Sequence, residues 1–158
     1  MTRRASVIVT STRAAAGNYE DRTGPAISEW LTEHGFGVDP IIVVADGPDV
    51  HAALETAIAS RADLVVTTGG TGVGVGDGTA DATAALLDRT LPGFSEELRR
   101  RGSISTPFAL MSRGVAGTAG STFIVNLPGS TGGVRDGLQL LGEVVDHVLD
   151  QLAGGEHG

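Results

Sequence analysis

The residues best suited to chemistry stand in TTGGTGVGVGDGTADAT, positions 67–83. Three glycines, Gly69, Gly70 and Gly72, let the main chain adopt positive φ and approach a ligand closely. Successive N–H groups in such a turn form a nest for anions, and a helix that starts soon afterwards adds partial positive charge. The hydroxyls of Thr68 and Thr71 are further donors. This is chemistry for a phosphate or a similar anion, although the same glycines also suit a tight strand-to-helix turn. Asp77, in the middle of the loop, sharpens the reading. A carboxylate beside bound phosphate repels it unless a cation lies between, and Mg2+ binds through one or two carboxylates plus substrate phosphate. Asp46 is the second carboxylate expected at the same place. Each has an ordinary alternative: Asp77 as a helix cap, Asp46 as a turn residue in ADGP.

NLPGS, 126–130, is a second turn of the same kind. Asn126 ends an apolar run, Pro128 and Gly129 turn the chain, and Ser130 leads into a helix. It offers N–H groups and a hydroxyl to an anion, or serves as a plain strand-to-helix turn. Ser11, Thr12 and Arg13 follow the first apolar run in the same way.

The elements that must position these residues follow from hydrophobic periodicity. ASVIVT (5–10), PIIVVAD (40–46) and DLVVTT (63–68) read as buried strands, and 114–129 as two strands around a small-residue turn. Helices are expected over 23–35, with Ile27, Trp30, Leu31 and His34 on one face, and over 48–60, with Val50, Leu54, Ala57 and Ile58 inward. Others are expected over 79–87, over FSEELRRR (94–101) after a break at Pro92-Gly93, and over 106–113. A long helix over 134–152 should bury Val134, Leu138, Leu141, Val145, Leu149 and Leu152. Near-continuous apolar strands alternating with helices predict an α/β fold of three layers, a mostly parallel sheet with helices on both faces. Ligands of such sheets lie beyond the carboxyl ends of the strands, at a switch in strand order. All the residues singled out above fall there.

Composition narrows the function. The length of 158 residues suits one domain, with a core over 5–152 and a frayed tail over 153–158. A formal charge of −8 argues against a nucleic-acid partner, and Arg99–Arg101, the one basic run, reads as a solvated helix end. No apolar run approaches the roughly 20 residues that span a bilayer. MTRRAS leads straight into a strand, so no signal peptide is expected. With no cysteine, thiolate chemistry and disulfides are excluded, and a cytoplasmic location is expected. All eleven basic residues are arginine. A Walker-type loop, which needs its lysine, and lysine nucleophiles are therefore excluded.

Taken in order, TTGGTG with Asp77 and Thr79, LPGFSEELR, SRGV and IVNLPGS resemble the MogA/MoaB family of molybdenum-cofactor biosynthesis. The segment STRAAAGNYEDRTGP (11–25) resembles its N-terminal motif, and the closing NLPGS-x-GGVRDGL is most similar to actinobacterial Mog members. The resemblance covers about residues 5–152. It implies a molybdopterin adenylyltransferase that uses Mg-ATP and molybdopterin, releases pyrophosphate, forms a homotrimer, and hands its product to the molybdate-insertion protein of the pathway. Asp46 and Asp77 match the family's catalytic aspartates and would hold Mg2+. Gly69, Gly70, Thr71 and Gly72 match the ligand loop, and NLPGS the pterin or nucleotide site. Ser11, Arg13, Asn126 and Ser130 would position the substrates. Two positions depart from the pattern: Gly76 stands where the family often has arginine, and Thr131 where it often has proline. Arg13 and Arg113 are the candidates to replace the missing phosphate partner. The alternatives are a molybdopterin-binding or assembly module without turnover, and a nucleotide enzyme resembling the competence-damage family.

Overall fold

The computed structural model describes residues 2–17 and 21–155. Residues 156–158 of the expected tail, and 18–20 of the N-terminal motif, lie outside the described residues. Three strands form the centre: β1 (Arg4–Thr10), β4 (Leu64–Thr68) and β7 (Thr122–Leu127). They run parallel, β1 beside β4 and β4 beside β7. Covered on both faces, they contain no alternation: every residue of β4 and β7 is buried, as is all of β1 after Arg4.

Two short parallel segments flank β1, β2 (Gly37–Val38) and β3 (Ile42–Val44). The strand expected over 40–46 is shortened to Ile42–Val44, and a separate two-residue strand, β2, precedes it. Pro40 has no N–H to give to the ladder, so pairing lapses around it. β3 stops at Val44, so Asp46 stands two residues past the strand rather than ending it. On the far side, β6 (Ala116–Ala119) pairs antiparallel with β7 through a hairpin at Gly120, where φ is +59°. A two-residue strand, β5 (Arg89–Thr90), closes that edge. The sheet has seven strands in the order β2-β1-β4-β7-β6-β5, with β3 also on β1. It is mostly parallel, as expected.

Helices fill both faces. α2 (Thr23–Glu33), α5 (Pro92–Ser103) and α6 (Thr131–Leu152) enclose Ala5, Val7, Leu64, Val66, Phe123 and Val125 with Ile27, Leu31, Leu138 and Leu141. On the opposite face, α3 (Pro48–Ala59) packs Val50, Leu54 and Ala57 against Ile8, Val65 and Ile124. This is the pleat expressed in packing: adjacent strand residues enter different layers. A one-turn helix, α1 (Thr12–Ala15), follows β1, and α4 (Thr79–Leu86) follows the glycine loop. Residues 107–111 form a 3-10 turn.

Boundaries differ from expectation where caps decide them. α5 begins at Pro92, since proline suits the first helical position, rather than breaking the chain there. α6 begins at Thr131, three residues early, because the Ser130 hydroxyl accepts the Gly133 N–H at 3.1 Å. Its expected inner face is buried except for Leu152, which is half-buried. In α2, Ile27 and Leu31 are buried, whereas His34 is exposed and stacks on Trp30 at 3.7 Å. The arginine run is more than a solvated end. Arg101 bonds to Glu97 and to Glu143 on α6, tying two helices together, and Arg100 and Arg101 hold the Glu97 carboxyl down at about 2.

Candidate functional site

Strand register brings the chemistry together. Val9 pairs with Thr68, Thr68 with Leu127, and Thr10 with Val44. So Ser11, Gly69, Pro128 and Asp46 all emerge at one edge of the sheet. The chain leaves β1 towards β3 and comes back to β4 on the other side of β1. The order reverses between β1 and β4, where the Ser11 and Gly69 turns lie.

The glycine turn is shaped by what cannot fit. Gly69 and Gly70 have φ of +91° and +68°. A Cβ on Gly69 would strike the Thr10 carbonyl, and one on Gly70 would strike the Thr79 hydroxyl. Across the turn, a Cβ on Gly129 would lie 3.3 Å from the Gly69 Cα, so the two ligand turns touch. Three carbonyls of this turn are tied into the fold. Gly70 O accepts from Thr79 N at 3.1 Å, Thr71 O from Arg113 N at 2.7 Å, and Gly72 O from Arg113 Nε at 2.9 Å. The N–H groups of Gly70, Thr71 and Gly72 donate to no group among the described residues. Carbonyls turned inward and amides turned out are the arrangement of an anion nest.

The two carboxylates lie along this turn. Asp46 Oδ1 stands 3.0 Å from where a Gly70 Cβ would be, and Asp77 Oδ2 2.8 Å from that of Gly72. Asp77 Oδ2 also accepts the Gly74 N–H at 2.9 Å. Asp46 Oδ1 is buried and has no hydrogen-bond partner among the described residues. Burial first, and the Asp77 charge as a further cause, push the Asp46 carboxyl above its usual range, against a hydrogen bond from the Gly78 main chain. An unpartnered, desolvated oxygen facing a second negative charge is a place for a cation. Among the described residues no group of three or more His, Asp or Glu could hold a metal, so ligand or water oxygens would have to complete the shell.

A stability prediction follows from the sign of this shift. A carboxyl whose folded value is raised binds its proton more tightly in the folded state. Its ionisation then opposes folding once the pH exceeds the folded value, and the penalty disappears below the unfolded one. Asp46→Asn is expected to raise the urea midpoint at pH 7 and to leave it unchanged near pH 3. Equal midpoints at both pH values would contradict the burial of that charge.

Two cavities flank the ridge made by the glycine and NLPGS turns. The larger, about 650 Å3, is walled by Thr71, Gly72, Asn126, Pro128 and Ser130, with apolar Leu98, Phe108 and Met111. The smaller, about 540 Å3, is walled by Ser11, Arg13, Thr68, Gly69, Gly129 and Ser130. Ser130 belongs to both. Asp46, Gly70 and Asp77 line neither cavity.

Several residues expected to touch a ligand are committed elsewhere. Asn126 donates its amide hydrogens to the Thr67 and Thr83 hydroxyls at 2.9 and 3.0 Å and accepts from Val115 N at 3.1 Å. It joins the final strands to α4 rather than presenting its amide to a substrate. The Thr68 hydroxyl donates to the Pro128 carbonyl at 2.8 Å, and the Gly69 N–H to Leu127 O at 3.1 Å. The nest therefore starts at Gly70. Arg113, offered as a phosphate partner, instead turns its guanidinium onto the glycine loop.

Other residues carry no sequence signal. Thr83 and Thr10 belong to the buried hydroxyl network beneath the turn, through Thr79. Ser95, in the wall of the larger cavity, buries a hydroxyl with no partner among the described residues. Because alanine is the better helix former and leaves nothing unsatisfied, Ser95→Ala should stabilise the protein by about 1 kcal/mol. A lowered urea midpoint would show that the hydroxyl is satisfied in solution.

Comparison with known proteins agrees with this architecture. A Molybdenum cofactor biosynthesis bifunctional protein of Synechococcus elongatus is 39% identical over 155 residues, 98% of this chain, and this chain spans about half (49%) of its length. A Molybdopterin adenylyltransferase of Helicobacter pylori is 35% identical over 94% of this chain and 86% of its own. The solved Molybdopterin biosynthesis Mog protein from Mycobacterium ulcerans superimposes with a TM-score of 0.92 at 50% identity, over 95% of this chain and 99% of that one. The family model described as a probable molybdopterin binding domain matches residues 6–147. With nearly all of its length matched, the chain belongs to this family of molybdenum-cofactor-biosynthesis domains.

Proposed function

We propose that the protein acts in molybdenum-cofactor biosynthesis as a molybdopterin adenylyltransferase. The terminal phosphate oxygen of molybdopterin forms a bond to the α-phosphorus of ATP, the bond to the β-phosphate bridge breaks, and pyrophosphate leaves. The observation that carries this reading is the pairing of the Gly70, Thr71 and Gly72 N–H groups with Asp46 Oδ1 beside them, all without a hydrogen-bond partner among the described residues. An anion nest next to a carboxylate pair suits a polyphosphate that brings a divalent cation.

Phosphoryl-group chemistry depends mainly on positioning and charge stabilisation and requires no protein nucleophile. That agrees with a chain that has neither lysine nor cysteine. Asp46 and Asp77 would hold Mg2+, which supplies the positive charge that lets phosphate oxygens approach two carboxylates. The amides of the turn hold phosphate oxygens without reorganising as charge shifts. The Ser11 and Ser130 hydroxyls each accept a helix-cap N–H and keep their hydrogens to donate into the smaller cavity. Arg13 stands in the wall of that same cavity. Two cavities meeting at Ser130 leave room for two substrates at once. The apolar walls of the larger suit a flat ring system.

The test is direct. Purified protein is mixed with molybdopterin, ATP and Mg2+, and pyrophosphate is measured. Release that depends on all three supports the reading. Tight molybdopterin binding with no pyrophosphate would replace it with a binding module.

A further inference from the structure

We propose that Arg113 is a positioning residue, which holds the Asp77 carboxylate beside Asp46 by clamping the loop that carries it. The proposal rests on the reading of Asp46 and Asp77 as a cation-holding pair.

The loop has little of its own to fix it. Glycine occupies positions 72, 74, 76 and 78, and glycine loses more backbone freedom on ordering than any other residue. Val73 and Val75 are exposed, so apolar burial does not anchor it. The Asp77 carboxylate and N–H both bond to Gly74, contacts within the loop that would move with it. The loop's exit is tied, by the Thr79 N–H to Gly70 O and by a Gly78 main-chain hydrogen bond to the Asp46 carboxylate, but these contacts do not fix Asp77 relative to the entry of the loop at Thr71 and Gly72.

Arg113 supplies that relation. Its main-chain N–H donates to Thr71 O, and its Nε to Gly72 O, at the entry to the loop. Nη2 donates to the Asp77 carbonyl at 2.6 Å, and Nη1 to both carboxylate oxygens of Asp81 in the first turn of α4 at 3.1 Å. One planar group thus reaches the start of the loop, the functional residue and the helix beyond. A guanidinium can do this with its fixed fork, and a point-charge ammonium cannot. The clamp is itself seated on the core. Arg99 Nη1 donates to the carbonyls of Ser112 and Gly114, on either side of Arg113, and Asn126 accepts from Val115 N.

The experiment measures Mn2+ affinity in the presence of α,β-methylene-ATP, together with amide hydrogen exchange, for the whole protein. For Arg113→Ala, Mn2+ affinity is expected to fall about tenfold or more, the scale of lost outer-shell support. Exchange at 72–77 should accelerate while that of β1, β4 and β7 stays as in the wild type. Arg113→Lys should recover little, and Asp81→Asn should show a smaller loss that adds nothing in the Arg113→Ala background. Unchanged Mn2+ affinity in Arg113→Ala, with Asp77→Asn clearly weakened, would overturn the clamp alone. Faster exchange throughout the central strands would overturn it too, by making the arginine a general stabiliser. No Mn2+ binding by the wild type would overturn both the clamp and the reading beneath it. Should Arg113→Ala not fold, the exposed Asp81→Asn decides, and wild-type affinity there would count against the clamp.

Discussion

Asp77→Asn is expected to lower pyrophosphate release by about 10²-fold or more, the scale on which one preorganised electrostatic group acts. The fold should be untouched. Asparagine has the same shape and keeps an oxygen to accept the Gly74 N–H, the one hydrogen bond the Asp77 side chain makes among the described residues. What disappears is the charge. Removing it also relieves Asp46, whose carboxyl the Asp77 charge pushes upward, so Asp46 should ionise more readily in the variant. That relief does not restore function, because a cation between carboxylates and phosphate would retain one protein charge instead of two. Stability measured in urea should stay within about 0.5 kcal/mol of the wild type, as for a surface substitution. A variant that turns over within about threefold of the wild type, where a loss on the scale of one electrostatic group is expected, would remove Asp77 from the chemistry.

The largest loss of stability is expected at Gly69. Its φ of +91° disfavours any side chain, and the added Cβ would meet the Thr10 main-chain carbonyl, which has no rotamer to escape into. Left-handed backbone costs about 1–2 kcal/mol and overpacking about 1–3 kcal/mol more, so Gly69→Ala should lose roughly 3 kcal/mol. Gly76→Ala is the internal control. A Cβ at position 76 would meet no atom within 4 Å, and its φ is not positive, so that change should be neutral or stabilise by about half a kcal/mol through the unfolded state. Chemical denaturation of the pair separates the two glycines. Similar midpoints would mean that the turn between β1 and β4 is looser than its contacts imply.

The contrast between these glycines also marks how far sequence alone can be read. The run at 67–78 shows that backbone freedom is needed but not which glycines need it. That depends on Thr10, distant in sequence and brought beside Gly69 by the parallel register, and on Thr79, which the start of α4 brings back onto Gly70. The central strands and long helices are legible because burial on one or two faces leaves a pattern of apolar residues. β5 is not, since two exposed residues have no period. The break between β2 and β3 is written in Pro40, but the place of Asp46, two residues past β3 with its N–H on the Thr12 hydroxyl, is not. Asn126 is legible as the end of an apolar run. Its partners are not, because Thr67 and Thr83 reach it across the sheet and from α4. Arg113 misleads for the same reason: arginine near a phosphate loop suggests a ligand contact, and only the positions of Gly72 O, Asp77 O and Asp81 turn it into a brace.

The central claim is that the amides of the Gly70–Gly72 turn and the Asp46–Asp77 pair hold a polyphosphate together through a divalent cation. Calorimetric titration of α,β-methylene-ATP, with Mg2+ and then with excess EDTA, tests it most directly. The account predicts saturable binding with Mg2+ that is lost on chelation and is lost equally in Asp46→Asn with Mg2+ present. Binding of the same strength with and without the cation, or unaffected by loss of the Asp46 charge, would contradict it.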